Sequence, residues 1–226
     1  MKNQNIQFKR TTPSARTVGS LLCALLVSLA ALRARAQTAT VVDPQGDAYY
    51  SEGHEAPAFL DILAASFTIS DTLTFTVDVA GSLDALPNPP GVGGVFAWHF
   101  PLNTDDSTDP PGFPLPPGQT AGAEFGVDAL WDGTAFSGVL FDRRPGLMGQ
   151  PALLHSIPVS VSGSRITLTV PAELAAQVKA AVVLPGATWN CFTLWNNTFL
   201  LDHGTDAIHG QAGIGADTIG RQPWPQ

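Results

Sequence analysis

Polar and apolar residues alternate strictly along several stretches of the chain. In Leu73-Thr74-Phe75-Thr76-Val77-Asp78-Val79 every odd position is apolar and every even one polar, and Arg165–Val170 repeats the scheme. Leu63, Ala65, Phe67 and Ile69 alternate with Ala64, Ser66 and Thr68. A period of two puts one face of a strand in a core and the other in water, as in antiparallel sheet. Ser70-Asp71 joins two of these runs as a hairpin, and Ser162-Gly163-Ser164 joins Ile157–Val161 to Arg165–Val170.

The same reading predicts strands over Thr38–Asp43, Val95–Asn103, Ala123–Trp131, Thr134–Phe141 and Thr188–Asn196, with Asp132-Gly133 as a short turn. Only Pro171–Lys179 predicts a helix, with proline at its first position and Glu173 in its first turn. About nine strands and one short helix predict an all-β protein, an antiparallel β-sandwich of jelly-roll or immunoglobulin-like type. Two loops, Ser82–Gly94 and Thr104–Gly122, are long and rich in proline and glycine.

The N-terminal segment follows a different pattern. Lys2, Lys9, Arg10 and Arg16 precede an apolar run from Val18 to Leu32, and Ala34-Arg35-Ala36 offers a cleavage site before Gln37. This predicts a secretory signal peptide over residues 1–36 and a single exported domain over 37–226, secreted or periplasmic, with no membrane insertion once the signal is removed. Six of the eleven Lys and Arg, and none of the nineteen Asp and Glu, lie in residues 1–36. The rest of the chain holds five basic against nineteen acidic residues, a formal charge of −14. Such a field argues against nucleic acid and anionic lipid as partners. Cys191 is the sole cysteine after residue 36, so no intramolecular disulfide holds this domain.

Carboxylates cluster where the first strand ends. Asp43-Pro44-Gln45-Gly46 is a turn sequence that folds Asp47 back towards Asp43, and Asp61 stands among Leu60, Ile62 and Leu63. Ordinary turn chemistry accounts for the cluster, and so does a shared calcium ion, which prefers oxygen ligands. Asn103-Thr104-Asp105-Asp106-Ser107-Thr108-Asp109 resembles the opening of a calcium loop without its glycine or its distal Glu.

These pieces together resemble exported bacterial β-sandwich domains related to family 9 carbohydrate-binding modules and DOMON domains. The resemblance is carried by Asp43–Asp47, Leu60-Asp61-Ile62, the hairpin at Ser70-Asp71, Trp98–Asp105, Trp131-Asp132-Gly133 and Ile166–Pro171. It implies structural calcium held by Asp43, Asp47 and Asp61, with Asp202 or Asp206 as a late partner. It also implies a binding module, with carbohydrate as the ligand class. Sugar rings stack on aromatic faces beside polar groups, which makes Tyr49, Tyr50, Trp98 and Trp131 the candidate contacts.

Three alternatives stand beside this expectation. A glycoside-active hydrolase would draw on Glu124, Asp128 and Asp142; Glu124 and Asp128 share a strand face. A haem-binding, DOMON-like electron carrier would draw on Met148, His155 or His99. A structural accessory domain of the envelope needs no site at all. No nucleophile elbow, zinc pair or catalytic triad is recognisable, so binding is favoured over catalysis.

Overall fold

A computed structural model describes residues 36–50, 54–89, 93–105, 123–145, 152–195, 210–211, 214–215 and 218–226. The alternating runs become strands because each presents one apolar and one polar edge to its surroundings. In chain order they are β1 (Gln37–Val42), β2 (Tyr49–Tyr50), β3 (His54–Glu55), β4 (Ile62–Ile69), β5 (Leu73–Val79), β6 (Phe96–Asn103), β7 (Phe125–Trp131) and β8 (Phe136–Asp142). Then follow β9 (Leu153–Ile157), β10 (Val159–Ser162), β11 (Arg165–Val170), helix α1 (Ala172–Ala181), β12 (Thr188–Trp195), β13 (Gly210–Gln211), β14 (Ile214–Gly215) and β15 (Thr218–Pro223).

Two antiparallel sheets form a β-sandwich. One has the order β1-β4-β5-β11-β10, the other β15-β12-β6-β7-β8-β9; β2–β3 and β13–β14 make two small ribbons. The inner faces share one core. Phe67 and Phe75 stack with centroids 4.4 Å apart on neighbouring strands, and Phe67 meets Trp224 edge-on at 4.9 Å. Phe75 packs on Phe100 of the opposite sheet at 5.2 Å. Burying each such ring contributes roughly 1.5–3 kcal/mol.

Helix α1 begins after Pro171 and carries Glu173 in its first turn, as expected. Ala175 and Val178 are buried. Lys179 Nζ donates to the carbonyls of Ser70 and Asp71 at 2.9 and 3.3 Å, which ties the helix to the β4–β5 hairpin.

Three features differ from the expectation. The stretch expected as one strand, Ile157–Val161, is broken at Pro158: β9 belongs to the six-stranded sheet and β10 to the five-stranded one. Proline has no N–H to give a ladder, so the chain changes sheet there, while the Pro158 carbonyl still accepts from Thr169 N–H at 3.0 Å. Strand β6 carries Pro101 in a central position; the β6–β12 pairing skips Phe100 and Pro101. The polar-looking tail supplies β15, an edge strand paired to β12, and Trp224, which is buried in the core.

Candidate functional site: an acidic corner and a buried polar sheet face

Asp43 N–H donates to the Leu63 carbonyl at 2.9 Å, so the chain leaves β1 still held against the start of β4. Gly46 adopts φ +86°, a conformation that favours glycine, and its N–H donates to Asp61 Oδ2 at 2.9 Å. The opening turn is thereby docked on a carboxylate fifteen residues later in the chain. Asp61 follows a single 3-10 turn (Ala58–Leu60) and sits between Leu60 and Ile62, both fully buried; it is itself only 5 % exposed. Its backbone carbonyl accepts from Ala80 N–H at 2.8 Å.

Burial pushes the Asp61 carboxyl above its ordinary value; the Gly46 N–H partly offsets this, and the nearby charge of Asp47 adds to it. Asp61 Oδ1 and Asp47 Oδ1 are both buried, and neither has a hydrogen-bond donor. Two buried carboxylate oxygens without donors, on residues close enough to feel each other's charge, carry an unmet electrostatic cost. Among the described residues, however, no three His, Cys, Asp or Glu side chains stand close enough to hold one metal ion. Asp43 Oδ2 is buried at the same corner, and the charge of Asp47 is close enough to act on Asp61. These two supply the charge a calcium ion requires, whereas its usual six to eight oxygens also include backbone carbonyls and water. Asp202 and Asp206 lie outside the described residues.

The aromatic candidates divide differently from the expectation. Trp98 is fully buried between the sheets, with its indole N–H donating to the Phe59 carbonyl at 3.1 Å and its ring against Phe136 at 5.6 Å. It belongs to the core and offers no face to a sugar. Trp131 is half-buried, its N–H bound to the Pro87 carbonyl at 3.1 Å and its ring against Phe136 at 5.1 Å. Tyr49 and Tyr50 form β2, and their side chains lie outside the described structure.

The outward face of the six-stranded sheet carries a polar set that spacing alone does not reveal. His99 on β6 is directly opposite Asp128 on β7, and its Nδ1 bonds the Asp128 carboxylate. Phe192 on β12 takes the ring edge-on at 4.7 Å. Gly126 makes room: a Cβ there would lie 2.8 Å from His99 Cε1. A carboxylate on Nδ1 fixes the orientation and tautomer of an imidazole.

Two residues further along the same face, Glu124 receives the N–H and hydroxyl of Thr104 on Oε2, at 2.6 and 3.0 Å. Its Oε1 is buried with no hydrogen-bond donor. Desolvation raises the Glu124 carboxyl above its ordinary value, against the lowering effect of the Thr104 bonds, and the charge of Asp105 raises it further. Arg143 lies near enough to both Glu124 and Asp128 to feel their charge, while burial lowers its own value. Asp142 sits apart from this set. It faces the core side of β8 and is bound by Arg144 at 2.9 and 2.6 Å. Glu124 and Asp128 therefore do share a face as expected, and Asp142 does not join them.

His155 lies on β9, and Met148 is outside the described residues. No helix among the described residues is long and apolar enough to cross a membrane. No known protein family, no curated protein and no solved structure matches this chain.

Proposed function

We propose that this chain is an exported β-sandwich binding module, stapled at its opening corner by calcium and taking carbohydrate as its ligand class. The observation that carries the reading is the buried, donor-free oxygen pair of Asp47 and Asp61 under a turn docked by Gly46 N–H. A hard divalent ion is the partner that removes the cost of two such oxygens. An acidic domain without a disulfide gains most from such a staple, which adds to the Gly46 N–H bond that docks the turn on Asp61. Trp131, half-exposed beside the Asp132-Gly133 turn, supports the carbohydrate part as an aromatic surface next to hydroxyl and carboxylate groups.

The test has two arms. A melting curve with calcium against one with chelator reads the corner; a clear upward shift with calcium supports the staple, and identical curves remove it. Calorimetric titration with a panel of soluble polysaccharides reads the ligand class, and flat titrations across the panel remove carbohydrate.

A second reading, glycoside hydrolysis, draws on the raised carboxyl of Glu124, a property general acids share. It predicts release of a chromogenic aglycone that Glu124→Gln abolishes. Asp128 is engaged by His99, which leaves that reading without a matched second carboxylate, and binding remains the stronger proposal.

A further inference from the structure

Beyond a register shift between Ile62 and Ala64 at the start of β4, the strands of the five-stranded sheet pair without interruption, so the side chains of its outward face form rows across the strands. One row runs Thr40, Ser66, Thr76, Thr167, Ser160 from edge to edge. The next runs Thr38, Thr68, Thr74, Thr169 across four strands. Every position in the two rows is a hydroxyl, and none of them is buried. Thr38 and Thr68 bond each other at 2.8 Å, so neighbouring hydroxyls are within reach across strands. The row beyond contains Asp78 and Arg165, which pair through two hydrogen bonds of 2.6 and 2.8 Å and so cancel in charge.

Threonine is favoured in exposed strands on propensity alone. Propensity does not explain why two adjacent rows exclude every charge, amide and aromatic ring in an acidic chain. Sheet geometry places these hydroxyls about 4.8 Å apart across strands and about 6.8 Å apart along them. A partner fitting such a surface is uncharged, flat, periodic and able both to donate and to accept hydrogen bonds. A sugar surface is normally met by aromatic stacking, and the rows contain no aromatic side chain. A crystal face of water has all four properties, and its molecules repeat on spacings of the same order. Threonine adds a methyl beside each hydroxyl, which displaces disordered water between the anchored sites.

We propose that this outward Thr/Ser face binds ice. The twist of about 20–25° between neighbouring strands confines a flat match to the centre of the sheet. The contact is therefore the block of Ser66, Thr68, Thr74, Thr76, Thr167 and Thr169 on β4, β5 and β11. The inference goes beyond the binding-module reading and uses none of the acidic-corner residues.

The test is inhibition of ice recrystallisation, together with thermal hysteresis, by the full exported chain. Thr76 lies at the centre of the block, and tyrosine is a good strand former, so Thr76→Tyr blocks the face without unfolding it. Glu173→Gln, on helix α1, is the control. The wild type and the control should arrest grain growth and open a hysteresis gap, and Thr76→Tyr should lose both at unchanged Tm. Thr167→Lys replaces Thr76→Tyr if that variant alters Tm. A wild type without effect on ice overturns the proposal, as does a Thr76→Tyr variant as active as the wild type. Retention on an insoluble polysaccharide that Thr76→Tyr abolishes, with no effect on ice, also overturns it and makes the face a polysaccharide surface. Failure of the calcium or soluble-polysaccharide tests leaves these outcomes untouched.

Discussion

The N–H of Gly46 and the carboxylate of Asp61 are joined by a 2.9 Å hydrogen bond that closes the opening turn onto the mouth of β4. One carboxylate oxygen is thus satisfied by backbone, while the other, beside Asp47, has no donor. From this asymmetry comes the first expected outcome. At a calcium concentration about a hundredfold above Kd, the staple stabilises the domain by about 2.7 kcal/mol, a rise in Tm of roughly 5–10 °C for a domain of this size. Asp61→Asn keeps an acceptor for Gly46 and removes the charge, so its Tm should no longer respond to calcium or chelator. A calcium response undiminished in Asp61→Asn would show that the ion sits elsewhere.

Glu124 sets a pH dependence whose sign follows from its burial. Its folded-state value is raised from the ordinary 4.5, so the folded state holds the proton more tightly than the unfolded chain. The ionised form is therefore a cost that is fully present above the folded value and relieved as pH falls through it towards 4.5. Glu124→Gln carries no such charge while keeping an acceptor for Thr104. The stability difference between Glu124→Gln and wild type, from denaturant melts across this range, should favour the variant at pH 7 and shrink in acid. A difference that grows in acid would contradict the assignment.

Gly126 and Gly138 are both required to lack a side chain, for unlike reasons. An alanine Cβ at 126 would press on the His99 ring at 2.8 Å; at 138 it would press on the Ile157 backbone carbonyl at 2.5 Å. A ring can tilt and a strand carbonyl cannot move without its ladder. Gly126→Ala should cost about 1–3 kcal/mol, and Gly138→Ala more. Chemical denaturation of both variants checks the order, and equal costs would show that the β8–β9 ladder yields as easily as a side chain.

Lys179 anchors helix α1 to the β4–β5 hairpin through two carbonyls. Lys179→Met retains the aliphatic stem and removes the donors, and should lower stability by about 1 kcal/mol. Amide exchange at Thr72 and Leu73 should quicken selectively; uniform change across β4 and β5 would assign the lysine a different role.

Strands β5, β10 and β11 of the five-stranded sheet were legible because each shows a strict alternation that needs only local sequence. β6 was harder: all eight of its residues are buried, so its outward face, with Ala97, His99, Pro101 and Asn103, lacks the solvent-exposed polar residues that mark the other strands. Trp98 read as a ligand contact from its residue type and the resemblance, and proved to be core with Phe96, Phe100 and Leu102 on the same face. Trp224 was hidden for another reason, since a tryptophan between two prolines in a polar tail carries no periodicity. The acidic corner was visible in its residue types, and its docking on Asp61 was consistent with the turn. The His99–Asp128 pair was not visible, because twenty-nine residues separate its members and only the β6–β7 register joins them.

By itself, the order of residues determined which stretches extend and which face of each seeks a core. That information is local: apolar contact favours one side of a pleat, and glycine or proline ends it. Pairing decided the rest. Which sheet each strand enters, where Pro158 sends the chain across, which carboxylates meet and which hydroxyls fall into line all depend on hydrogen bonds between segments far apart in sequence. A shift of one residue in any ladder would turn each of those side chains to the opposite face.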